Sequence, residues 1–256
     1  MDAASLILAN SSTFLFVLVR TSAILMTAPV FGIFNIPMRV KAGLAFVISL
    51  LLTQMTGHVP MPSTITGLVI SVGGELLVGA SIGLVARFIF AGIEFAGQFA
   101  SLQMGIGLAS AYDPVHNAQI NVLGKLLSIL TLLLFLSVNG HLMVILALKK
   151  SFDVIPPYGF HLTGPFMENI VIFSKEIFIL AVKFSAPVIA VLIFVNIGLG
   201  IMARTVPQLN MFAVGFAVTI PVGLIVMALS MPVFEEALLA AFDGMWEAVF
   251  ELMKVM

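Results

Sequence analysis

The chain is short of charge. Its 256 residues include 11 Lys and Arg and 12 Asp and Glu, so charged residues make up 9% of it, against about 25% in a soluble domain. The scarcity is concentrated. Ala42–Gly74, Leu126–Leu148, Phe184–Ala203 and Thr205–Phe234 contain no Asp, Glu, Lys or Arg. About 20 uncharged apolar residues are enough to cross a bilayer's hydrocarbon core as a helix. Several such runs in one chain argue against a water-soluble domain. Cysteine is absent, which excludes disulfides, thiolate catalysis and cysteine metal sites. A net charge of -1 argues against a nucleic-acid partner. One Trp and two Tyr are too few for the aromatic belts of conventional membrane proteins. Met1-Asp2-Ala3-Ala4-Ser5 lacks a basic region and a cleavage pattern, and is expected to begin the first helix rather than a signal peptide.

What is present is apolar from end to end. Hydrophobic residues are 61% of the chain, with 22 Phe and 15 Met, and the mean hydropathy is +1.20. With no polar linker between the runs, a single unit over residues 1–256 is expected. The fold class is all-α, with about six long, kinked apolar helices arranged as hairpins and a C-terminal amphipathic helix. The first segment runs from about Ser5 to Phe34, with Arg20 in its middle, and Pro37 to Lys41 forms a basic turn. The second ends near Met55, and the third runs from Ile65 to Met104. Gly105 to Gln119 is Gly-rich and polar. The fourth runs from Ile120 to Leu148, the fifth from Phe166 to Arg204, and the sixth to Met231, with Pro232 starting the tail.

The third segment exceeds a simple span. Forty helical residues reach roughly 60 Å, about twice the hydrocarbon thickness. It also carries Glu75, Arg87 and Glu94, and charges at bilayer depth face protein or water. If Arg39 and Lys41 are cytoplasmic, six simple spans put Lys149 and Lys150 on the opposite side, against the positive-inside rule. Either the helices pack on partner proteins rather than lipid, or this segment is one kinked or re-entrant span. Gly79-x-x-x-Gly83 is a close-packing spacing for apolar helices. Arg87, Glu94, Gln98 and Ser101 fall on one helical stripe, either as interhelical hydrogen-bonding groups or as the polar lining of an aqueous path. In the tail, Glu236, Asp243, Glu247 and Glu251 share a face, for docking on protein or for plain solvation.

No catalytic constellation stands out. His58, His116, His141 and His161 lack metal-ligand spacing. Gly79-Ala80-Ser81-Ile82-Gly83 matches a nucleophile-elbow pattern but sits inside a helical run rather than between strand and helix. Gly198-Leu199-Gly200-Ile201-Met202-Ala203 matches a loose dinucleotide fingerprint without the βαβ context. The chain is read as no enzyme, with no cofactor and no metal.

Several blocks resemble a known family. Glu94-Phe95-Ala96-Gly97-Gln98, Leu102-Gln103-Met104-Gly105-Ile106-Gly107, Ala109-Ser110 and Asp113-Pro114 look like the signature of the FliR family, core membrane proteins of the flagellar type III export gate. Asn139-Gly140-His141 is similar to its Asn-Gly-His. Leu199-Gly200, Arg204, Pro207-Gln208-Leu209-Asn210, Phe212 and Gly215-Phe216 resemble its most specific block. Near the start, Arg20, Pro29-Val30-Phe31-Gly32 and Ile36-Pro37 with Arg39 and Lys41 also match. Ala217 departs from the proline expected after Gly-Phe, which leaves the local geometry there less fixed.

The resemblance covers essentially the whole chain and carries several implications. Such proteins assemble with FliP and FliQ into a helical, cone-like gate contacted by FlhB, with FlhA as a further expected partner. The chain divides into a FliP-like part, about 1–165, and a FliQ-like part, about 166–256. The location implied is the bacterial inner membrane within the flagellar basal body, and unfolded flagellar subunits are the traffic. The stretch holding Met104, Gly105, Ile106, Gly107, Asp113 and Pro114 would plug the closed pore. Glycine there permits hinging, and Asp113-Pro114 sets a turn. On residues alone the same stretch reads as an ordinary interhelical loop. Arg204, Pro207, Gln208 and Asn210 either cap a tight turn or contact a neighbouring subunit. The rival readings are an injectisome export component and, from another class, a proton-coupled small-solute transporter using Glu75, Arg87 and Glu94.

Overall fold

The computed structural model describes residues 10–32, 36–106, 121–206, 208 and 210–256. Among them are eight helices: α1 Ser11–Thr27, α2 Pro29–Gly32, α3 Met38–Thr53, α4 Ile65–Met104, α5 Val122–Ser137, α6 Gly140–Val154, α7 Gly164–Thr205 and α8 Met211–Val255. The all-α class and the long apolar helices are as the charge-free runs imply. Gly107, Asp113, Pro114 and Pro207 lie outside the described residues.

Local chemistry sets most of the ends. α1 stops because Ala28, which precedes a proline, takes an extended backbone (ψ 137°), as the residue before Pro is biased to do. Thr163 caps α7: its hydroxyl accepts from the Phe166 N–H at 3.2 Å and donates to the Val255 carbonyl at 2.7 Å. Two boundaries differ from the sequence expectation. The fourth apolar run is broken between α5 and α6, where Asn139 takes left-handed backbone (φ 59°), a conformation Asn tolerates better than most residues. The tail is amphipathic, with Phe242, Val249 and Leu252 buried and Asp243, Glu247 and Glu251 exposed. It is not a separate helix, however, because α8 runs on through Pro221 and Pro232. A proline removes one hydrogen bond and bends a helix, and apolar contacts on both sides hold it together.

The chain forms two compact units. The first comprises Met1–Phe88, Phe135–Ser174 and Phe242–Met256. Here α1 lies between α3 and the first half of α4. A Cβ on Gly79 would stand 2.5 Å from the Arg20 carbonyl and 2.8 Å from the Ala23 Cβ, and one on Gly83 would run into Thr27. The Gly79-x-x-x-Gly83 spacing therefore marks a real backbone approach between α1 and α4. Phe135 packs edge-on against Phe242 at 5.2 Å, and the Lys150 ammonium sits 4.8 Å over the Phe250 ring.

The second unit comprises Ile89–Leu134 and Lys175–Ala241. The rest of α4 meets α7 at Gly92, where a Cβ would stand 2.9 Å from that of Leu180. Val188 and Leu192 of α7 are fully buried, and Phe184 packs on Phe234 at 4.9 Å.

Candidate functional site at the end of helix α4

Met104 is the last residue of α4 and is fully buried. A helix leaves its last four carbonyls without partners inside the helix. The Met104 carbonyl finds one on α8, where the Thr219 hydroxyl donates to it at 2.8 Å. Gly105 follows at φ +86°, a conformation glycine adopts without steric cost. It is doubly restricted, since a Cβ there would stand 2.5 Å from the Phe216 ring. One turn further on, a Cβ on Gly223 would come within 2.6 Å of the Met104 side chain. Beside these contacts is a pocket of about 180 Å³, lined by Gln103, Gly105, Asn196, Phe212, Phe216 and Thr219 among others. Ile106, the last described residue before position 121, is half-buried.

The start of α5 is held by Asn121. Its side-chain oxygen accepts from the Gly124 N–H at 2.8 Å, as an N-cap residue's does. Its amide donates to the Glu94 carbonyl on α4 at 3.1 Å. Where α5 crosses α4, a Cβ on Gly97 would collide with the Gly124 backbone. Sequence reasoning had Gly97 and Phe216 only as parts of family motifs, and missed Asn121 at the start of α5 and Thr219 on the Met104 carbonyl.

The remaining predicted site residues are spread out. On the α4 stripe, Ser101 is 5% exposed, Gln98 is half-buried, and Arg87 and Glu94 are exposed. The side chains of Arg87 and Glu94 have no hydrogen bond or ion pair among the described residues, so the structure does not join them to each other. Arg204, Gln208 and Asn210 are exposed around the α7–α8 turn. Asn210 accepts from the Ala213 N–H at 3.3 Å, which is the turn-capping role. Arg204 has no partner among the described residues.

One polar centre escaped the sequence reading. Arg20, in the middle of apolar α1, is fully buried, as is Glu75 at 2% exposure. The Arg20 Nε donates to Glu75 Oε2 at 2.6 Å. Its Nη1 donates to the carbonyls of Ser151 at 2.8 Å and Ile155 at 3.0 Å. The guanidinium also lies 4.2 Å from the Phe152 ring centre. One side chain thus joins α1, α4 and the C-terminal turn of α6, whose carbonyls favour a cation. The available signal was the rule that a buried charge needs a partner, which requires some partner for Arg20 without naming Glu75.

Among the described residues three helices are long and apolar enough to cross a membrane, and the broken pair α5–α6 makes up to four. The molecule is therefore of the class of all-α membrane proteins. Residues 11–245 match the family described as bacterial export proteins, family 1. The flagellar biosynthetic protein FliR of Escherichia coli strain K12 is 33% identical over 239 residues, 92% of this chain and 89% of that protein. FliR of Bacillus subtilis strain 168 is 34% identical over 226 residues, 86% of each chain. FliR of Pectobacterium carotovorum is 34% identical over 227 residues, 86% of this chain and 85% of that protein. The chain belongs to this FliR family of bacterial export proteins.

Proposed function

We propose that the chain is a structural, pore-forming component of the flagellar type III export gate in the bacterial inner membrane. Membership of the FliR family supports the flagellar apparatus as its place, rather than an injectisome. The observation that carries the pore-forming reading is the unused apolar surface of α7 and α8. Only 33% and 17% of their most apolar windows are buried within the chain, and exposed charges at Arg87 and Glu94 accompany such surface on α4. Lipid would cover the apolar part but not the charges. Helical protein partners cover both, and FliP and FliQ are the partners proposed, with FlhB and FlhA on the assembled gate. In that assembly a FliP-like part, about 1–165, precedes a FliQ-like part, about 166–256. The segment from Met104 through Gly105, Ile106, Gly107, Asp113 and Pro114 closes the pore to ions until an unfolded flagellar subunit passes. Arg87, Glu94 and Gln98 line the path or meet a neighbour, and Arg204, Pro207, Gln208 and Asn210 contact an adjacent subunit. Against a stand-alone transporter, Glu75 is buried and engaged by Arg20 rather than lining an open path.

The test is co-expression with FliP and FliQ from the same source, followed by the native mass of the detergent-extracted material. A single hetero-oligomer holding all three is expected. A monodisperse species of this chain alone, excluding FliP and FliQ, would overturn the gate reading.

A further inference from the structure

Serines in the apolar helices of the second unit satisfy themselves. Ser185 on α7 donates to the Ala181 carbonyl at 2.7 Å, and Ser230 on α8 donates to that of Val226 at 2.8 Å. Two carboxamides in the same unit do not. Asn196 lies inside the charge-free run Phe184–Ala203 of α7, and Gln103 is one residue before the end of α4. Neither side chain has a hydrogen-bond partner among the described residues. Both line the pocket of about 180 Å³, where the Thr219 hydroxyl is already engaged by the Met104 carbonyl. A carboxamide carries donors and an acceptor, so the pocket offers hydrogen bonds of both kinds. The Phe212 and Phe216 rings also line it, and exposed apolar side chains adjoin it, Leu102 on α4 and Ile193 and Ile197 beside Asn196 on α7.

We propose that this pocket is a socket for one amide- or hydroxyl-tipped side chain carried by an apolar helix of a neighbouring gate subunit. The proposal rests on the gate reading above and adds the chemistry of one of its contacts. The surroundings select that occupant. Lipid tails would fit the apolar surface but leave both carboxamides unpaired, and an unpaired polar group in apolar surroundings is costly. Water would pair the carboxamides but leave Phe212, which is 74% exposed, and its apolar neighbours wet. A helix that is apolar except for one hydrogen-bonding side chain suits both, as such side chains do between membrane helices. The volume suits a single side chain, since a cavity of about 150 Å³ holds one benzene. Gly215 also lines the pocket, and a Cβ there meets nothing within 4 Å, which leaves the edge of the socket open.

The experiment compares the lone, detergent-extracted chain with the complex it forms with FliP and FliQ. Gly215→Leu fills the pocket from its edge, and Gly215→Ala keeps most of the room. Gln103→Leu combined with Asn196→Leu removes both carboxamides at similar size. The lone chain should keep its heating midpoint in all three, because none of these groups has a partner within it. Recovered complex should fall about tenfold for the double Leu variant, which loses two interhelical bonds, and at least as far for Gly215→Leu, while Gly215→Ala assembles normally. Ile197→Cys, the sole cysteine in a chain that otherwise has none, carries a benzophenone that should cross-link to a helix of a neighbouring subunit in the complex. Cross-linking to detergent or lipid alone overturns the proposal, as do wild-type amounts of complex from Gly215→Leu or from the double Leu variant. A fall in the lone-chain midpoint of the double Leu variant also overturns it, because the carboxamides then serve the fold. Wild-type chain that forms no complex with FliP and FliQ removes the gate reading itself, whereas fully assembling variants beside a wild-type complex remove only the socket.

Discussion

Arg20→Ala offers the sharpest physical test of how the first unit is held. The substitution strands the Glu75 carboxylate at 2% exposure and leaves the Ser151 and Ile155 carbonyls without the guanidinium. Removing one partner of a buried pair costs about 3–5 kcal/mol. For a chain of this size each kcal/mol moves Tm by about 2–4 °C, so the expected fall is roughly 6–20 °C. Glu75→Gln is milder, since its amide oxygen still accepts from the Arg20 Nε. The double variant Arg20→Met with Glu75→Leu removes both charges and recovers part of the loss. Recovery is incomplete because the Ile155 carbonyl loses the guanidinium at a cost of about 1–3 kcal/mol, whereas the Ser151 carbonyl keeps the Ile155 N–H at 2.9 Å. The assay is the fraction of detergent-extracted protein that still elutes as one species after a series of heating steps, run as a double-mutant cycle of Arg20→Ala, Glu75→Ala and the variant carrying both. If Arg20→Ala and Glu75→Ala each move the midpoint by less than about 2 °C, or the cycle shows no coupling, the pair behaves as an exposed one and the reasoning fails.

Three further outcomes are expected. Shortening the 105–119 segment makes cells leaky to ions while export continues; normal proton impermeability in that strain removes the plug assignment. Arg204→Ala lowers the yield of assembled gate, read by native gel, because its exposed guanidinium is assigned to a neighbouring subunit; full recovery of the complex counts against that contact. Gly97→Val forces α4 and α5 apart at the Gly124 backbone and costs about 1–3 kcal/mol by overpacking. Gly73→Ala, with nothing within 4 Å of its Cβ, gains up to about 1 kcal/mol in helix propensity, and heating midpoints of the two variants should move in opposite directions.

Much of the fold was legible because breakers and apolar runs coincide. Gly57, Pro60 and Pro62 on one side and Gly105 on the other bound a run that became α4, Ile65–Met104. Pro232 misled for a physical reason. A proline forfeits one backbone bond, and the buried Phe234, Leu238 and Phe242 supply enough packing to keep α8 whole. Asn139 was named only as part of a family motif, although Asn-Gly inside a charge-free run is itself a turn signal, and its left-handed backbone makes the break between α5 and α6. The site was legible only in part. Met104, Gly105 and Phe216 stood out by motif, but nothing in the sequence paired them, and Thr219 and Gly223 lie more than a hundred residues from Met104 in a charge-free run. The Arg20–Glu75 pair was hidden for the same reason, since sequence states that a buried charge needs a partner and leaves the choice to three dimensions.

The guanidinium that joins α1, α4 and α6 also imposes a schedule on the making of the protein. Arg20 leaves the ribosome 55 residues before Glu75 and 135 before Ile155. At about 5–20 residues per second, that is roughly 3–11 s before its counter-ion exists and 7–27 s before its last carbonyl does. Throughout that interval α1 carries a bare cation in an apolar helix, and its insertion is costly until α4 arrives. The first described helix thus becomes committed only once α4 and α6 have been made, and its biogenesis depends on a glutamate 55 residues downstream.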